Sequence, residues 1–127
     1  LDGGISDSIP IKKFQEMGYE KNVIVLTQPE NYVKKPQPMM RAIRAKYRKY
    51  PNMVRDLELR HETYNETIAY IKEEVAKNNV FVIQPERALN IGRIEHDRIR
   101  IRAVYEEGRK TAIKRLAELK MFLKQGE

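Results

Sequence analysis

The chain has 127 residues with no cysteine, 41% hydrophobic and 34% charged content, and a formal charge of +7. That length allows one domain or part of one, and the lack of cysteine excludes a disulfide framework and any thiolate metal site. No apolar run approaches the roughly 20 residues of a membrane span, so the expectation is a helix-rich protein of a reducing compartment, cytoplasmic or peripheral to a membrane.

The chain opens Leu1-Asp2-Gly3-Gly4-Ile5-Ser6-Asp7-Ser8-Ile9-Pro10. Adjacent Gly3 and Gly4 permit positive φ and a turn that holds the Asp2 carboxylate at the end of an element. Asp7 is expected to bond nearby backbone N–H groups at the start of a helix over about 10–17. Pro10 suits its first turn and Gly18 its end. Ser6 and Ser8 lack the strained strand-to-helix elbow of a nucleophile and read as loop and cap residues.

Residues 22–27, Asn-Val-Ile-Val-Leu-Thr, form a continuous apolar run that suits a strand covered on both faces, ended by Pro29. A proline-marked loop follows over 28–38, and a helix is predicted from near Pro38 with Met40, Ile43, Tyr47 and Tyr50 on one face. After Pro51 the residues Met53, Leu57, His61, Tyr64, Ile68, Ile71 and Val75 step by three and four, the clearest amphipathic stripe in the chain. A second strand is predicted at 79–84, closed by Pro85, then an irregular stretch over 85–96. Asp97 caps a last long helix with Ile101, Val104, Tyr105, Gly108, Ala112, Leu116, Leu119 and Leu123 on its inner face. Gly108 and Ala112 there would admit a close neighbour. Two strands separated by helices predict a parallel α/β arrangement, and so small a sheet leaves open edges for another copy or a swapped element to cover.

The charge is local. Residues 34–60 hold nine basic side chains against Asp56 and Glu58, a net +7, while the remaining sixteen basic and sixteen acidic residues cancel. Lys34, Lys35, Arg41, Arg44, Arg48 and Lys49 form the densest part, interleaved with Met39, Met40, Tyr47 and Tyr50. Three readings apply: a solvated helix face, a surface for anionic lipid headgroups, or a nucleic-acid contact, which no recognised motif supports. His61 and His96 have no partner at metal-ligand spacing, so no metal is expected. His61 reads as a satisfied, partly buried imidazole on its helix stripe.

Asp2-Gly3-Gly4-Ile5-x-Asp7-x-Ile9-Pro10, followed by Phe14, Gly18, the run Val23–Leu26 and Thr27-Gln28-Pro29, resembles the region around the catalytic aspartate of bacterial patatin-like phospholipases. Tyr105-Glu106-Glu107-Gly108 is similar to a piece of the same family's C-terminal region. The resemblance implies a serine–aspartate acyl hydrolase in which Asp2 is the general base and Gly3 and Gly4 shape its turn. It implies a patatin-like three-layer α/β domain whose tail spans 1–35, a mainly helical region over 36–127 with one strand near 79–84, a lipid or ester substrate and no cofactor. The family's Gly-x-Ser-x-Gly motif and glycine-rich oxyanion loop are not in the sequence. The resemblance therefore implies a C-terminal fragment whose partner is an N-terminal catalytic portion, inactive by itself. The rival expectation is a basic helical binding module for nucleic acid, membrane or a protein partner, with no reaction to catalyse.

Overall fold

The computed structural model describes residues 3–92 and 94–125. The chain is mixed α/β and mostly helical: α1 (Ile11–Glu16), β1 (Asn22–Val25), α2 (Met40–Lys46), α3 (Pro51–Ala76), β2 (Val80–Ile83), α4 (Arg98–Lys114) and α5 (Leu116–Lys124). It divides into two units interleaved in sequence. One contains the N-terminal segment up to Glu20 together with Val33–Glu74, and the other contains Lys21–Tyr32 together with the chain from Val75 onward.

In the first unit, α1 ends where the sequence places its stop. Gly18 takes φ +92°, a region closed to most side chains. Its N–H donates to the Gln15 carbonyl at 2.9 Å, and the Tyr19 N–H donates to the Phe14 carbonyl at 3.1 Å. The rings of Phe14 and Tyr19 then lie 5.9 Å apart, the apolar contact that accompanies this kind of helix ending. Ile11 and Ile71 are buried here, and so is Glu74 at 4% exposure. A charged group that deep needs partners. The Gln15 amide donates to the Glu74 carboxylate at 2.8 Å, and the Tyr70 hydroxyl donates to the Gln15 amide oxygen at 2.6 Å. Of the predicted α3 stripe, Met53 through Ile71 turn inward and Val75 is exposed. Pro51 is the first residue of α3, where its missing N–H costs nothing.

In the second unit, β1 and β2 pair in parallel with Val23 opposite Phe81 and Ile24 opposite Val82. The two-sided covering expected of the first strand is not found. β1 alternates half-buried and exposed residues, and Val25 is 71% exposed. Only one face of the strand is sheltered, as the alternation of half-buried and exposed residues shows. β2 is the better buried, with Val80 and Phe81 in the core and Phe81 set 5.7 Å from Phe122.

Asp97 caps α4 as expected, its carboxylate accepting from Ile99 N–H at 2.8 Å and Arg100 N–H at 3.4 Å. The last helix is otherwise different from the prediction. It breaks at Arg115 into α4 and α5, and the apolar face expected to turn inward is largely in solvent: Ile101, Tyr105, Gly108, Leu116 and Leu123 are exposed. Nothing lies within 4 Å of a side chain built on Gly108, so the predicted close approach is not there. The sheltered stripe is instead Val104, Glu107, Thr111, Arg115, Leu119 and Phe122. Two polar members are satisfied. Thr111 donates to the Glu107 carbonyl at 2.9 Å, and Arg115 donates to the Val82 carbonyl at 2.8 Å with its guanidinium 4.5 Å from the Phe81 ring centroid. The Asn79 and Ile83 carbonyls face β1, accepting from Asn22 and Leu26. Carbonyls alternate along a strand, so Val82 faces the outer edge of β2, and Arg115 occupies it there.

Candidate functional site

Two regions carry the residues singled out by the sequence, both in the first unit. The first is the turn that follows Asp2, a position outside the described residues. Gly3–Ile5 form one turn of 3₁₀ helix. That conformation is right-handed, so the positive φ expected at the glycine pair is not used, and Gly3 does not adopt it. The turn is held by hydrogen bonds instead. The Gly3 carbonyl accepts from the Asp7 N–H at 3.0 Å and from the Ser6 hydroxyl at 3.2 Å. The Gly4 carbonyl accepts from the Ser8 hydroxyl at 2.8 Å and from Arg60 Nε at 2.9 Å.

Arg60 lies on α3, so its guanidinium ties the turn to the longest helix of the chain. Asp7 Oδ1 accepts from the Ile9 N–H at 3.2 Å, the local bonding the sequence predicts for it. Ser6 and Ser8 are spent on backbone carbonyls, in keeping with loop and cap roles. A small open groove lies beside the turn, lined by Ile5, Ser8, Arg60, Thr63, Tyr64 and Thr67 among others. Nothing in the sequence marks Arg60 as a contact of this turn. Its partner lies 56 positions away, and no local spacing announces such a bond.

The second region is the basic segment. α2 turns Met40, Ile43 and Tyr47 partly inward and Arg41, Arg44 and Arg48 outward, as a three-and-four stripe requires. Met39, just before α2, has φ +59°. Four of the cations are engaged. Arg44 pairs with Glu58. Lys46 lies over the Tyr47 ring and Lys34 over the Tyr64 ring, at 5.4 and 4.8 Å from the centroids. Arg60 is on the Gly4 carbonyl. Lys35, Arg41, Arg48, Lys49 and Arg55 are exposed and have neither an ion pair nor a hydrogen bond among the described residues.

The histidines are separate. His61 Nδ1 lies 3.0 Å from the Glu58 carbonyl on α3, a partly buried and bonded ring, and His96 is exposed just before α4. Among the described residues no three His, Cys, Asp or Glu side chains group as metal ligands. Tyr105-Glu106-Glu107-Gly108 lies on α4, where Arg102 pairs with Glu106 at 2.8 Å and stacks 5.2 Å from the Tyr105 centroid. A clear electrostatic perturbation lies at the surface of the second unit. Hydrogen bonding to Lys114 lowers the Glu86 carboxyl below its ordinary value, and Glu86 raises the Lys114 ammonium in return. Among the described residues no helix is long and apolar enough to cross a membrane.

A family model described as "Domain of unknown function (DUF6363)" matches residues 50–124, more than half of the chain, and the chain belongs to that family. The protein is similar to the uncharacterized protein YjjU of Escherichia coli (strain K12), at 32% identity over 91 residues that make up 71% of this chain and 26% of YjjU. The chain thus spans about a quarter of the length of that relative. No solved structure matches.

Proposed function

We propose that this DUF6363 chain is the C-terminal part of a serine–aspartate acyl hydrolase of patatin-like type, acting on lipid or ester substrates, with Asp2 as the general base. A serine hydroxyl attacks an acyl carbon only when a base withdraws its proton, and that base must stand about 2.6–3.2 Å from the hydroxyl. The observation that carries the reading is the Asp2-Gly3-Gly4 sequence entering a turn whose two glycine carbonyls each accept more than one hydrogen bond, one of these from Arg60 of α3. The parallel β1–β2 pair suits a place at the margin of a larger α/β sheet. The nucleophile and oxyanion donors then come from polypeptide outside this chain, as a segment a quarter the length of its relative allows.

The test is ester hydrolysis by the full-length protein, wild type against Asp2→Asn, with Asp7→Asn as control. Loss of a general base lowers turnover by about 10²–10⁴-fold, so Asp2→Asn is expected to fall in that range. Asp7→Asn, whose carboxylate is committed to the Ile9 N–H, is expected to retain turnover. Equal rates in wild type and Asp2→Asn would end the reading.

A further inference from the structure

We propose that the outward face of α2, with the segments flanking it, is a docking surface for anionic phospholipid bilayers. The proposal extends the acyl-hydrolase reading but does not depend on it, because its evidence and its test involve no turnover.

In a segment of net +7, internal partners take up Lys34, Arg44, Lys46 and Arg60. Lys35, Arg41, Arg48, Lys49 and Arg55 lie in solvent with no carboxylate partner among the described residues. Of the two acidic residues in the segment, Glu58 is committed to Arg44 and Asp56 is half-buried. Five like charges in 21 positions repel one another and gain only from an external anion.

The apolar residues decide which anion. Met39 immediately before α2 is 77% exposed, and Tyr50, which follows its last turn, is 63% exposed. Val33 is exposed as well. A tyrosine beside cations suits the headgroup layer of a bilayer, where its ring meets the acyl boundary and its hydroxyl stays wet. Methionine and valine gain free energy at that boundary by leaving water, and gain nothing from a phosphodiester backbone. The apolar stripe of α2 itself, Met40, Ile43 and Tyr47, is turned partly toward the protein. The docking is therefore adsorption through the cationic face with Met39 and Tyr50 as shallow anchors, and not burial of the whole helix.

Vesicle co-sedimentation of the full chain tests this, with phosphatidylcholine vesicles containing about one-third phosphatidylserine against pure phosphatidylcholine. The variants are Arg41→Gln/Arg48→Gln/Lys49→Gln and, separately, Met39→Ser. All four side chains are exposed, and circular dichroism checks that the fold persists. Each cation near an anionic surface contributes roughly 1 kcal/mol, about fivefold in binding, so the triple variant is expected to lose about 100-fold on the anionic vesicles. Met39→Ser is expected to weaken binding at high salt, where screening leaves the apolar contribution. A single-stranded and a duplex oligonucleotide are added as competitors. Equal binding to both vesicle types, binding to neither, or displacement from vesicles by either oligonucleotide at equal phosphate concentration would overturn the proposal.

Discussion

The side-chain amide of Asn65 makes hydrogen bonds to both backbone groups of Lys34: its Oδ1 accepts from the Lys34 N–H at 2.9 Å and its Nδ2 donates to the Lys34 carbonyl at 3.1 Å. One side chain on α3 thereby imitates an adjacent strand for a single residue of the proline-marked loop. The contact pins the start of the basic segment against α3, and the Lys34 ammonium lies over the neighbouring Tyr64 ring. Asn65→Ala removes both bonds at a half-buried site. At roughly 1 kcal/mol for each bond, the expected cost is about 2 kcal/mol, read from urea denaturation. Hydrogen exchange at the Lys34 amide is expected to accelerate. Asn65→Asp keeps the acceptor and loses the donor, so that amide should stay protected while stability still falls.

Arg115 separates two roles that a basic side chain can play. Its guanidinium bonds the Val82 carbonyl, lies on the Phe81 ring, and also meets Glu118 at 2.7 Å. Arg115→Leu preserves apolar contact with Phe81 but strips the outer edge of β2 of its donor. A hydrogen bond from a charged donor is worth about 1.5–3 kcal/mol, and a loss in that range is expected by thermal unfolding. Arg115→Lys keeps the charge without the planar stack and is expected to fall between wild type and Arg115→Leu. If Lys were more destabilising than Leu, the ring contact and not the carbonyl bond would be the source of stability.

Two glycines are predicted to respond to alanine with opposite signs. Gly18 holds φ +92° at the end of α1, so Gly18→Ala meets backbone strain and is expected to cost about 1–2 kcal/mol. Gly108 lies within α4 with open space around it. Gly108→Ala there should stabilise by about 0.5–1 kcal/mol through helix propensity. Urea midpoints of the two variants, moving in opposite directions, check both claims.

Much of the secondary structure was legible because its signals are short-ranged. Gly18 ends α1, Asp97 caps α4, Pro51 starts α3 and the α3 stripe turns inward, since each depends on neighbours within four positions. The last helix was misread for the same reason. A search for apolar residues at helical spacing finds Ile101, Leu116 and Leu123, whereas the fold shelters Thr111 and Arg115. Those two are tolerated inside because carbonyls of Glu107 and Val82 receive their protons, and the second of these lies 33 residues away. Likewise the sequence shows a basic segment of net +7, but not which cations are free.

By itself, the sequence determined the kind of elements, the helix boundaries at Gly18, Pro51 and Asp97, the local excess of positive charge and the Asp-Gly-Gly opening. The tertiary structure alone decided that Arg60 anchors the turn after Asp2, that Arg115 occupies the outer edge of β2, and that five cations of the basic segment have no ion pair among the described residues. Local propensities act over one helical turn and can be read from spacing. Hydrogen bonds and ion pairs between distant positions depend on how the chain returns on itself, and no short stretch of residues encodes that path.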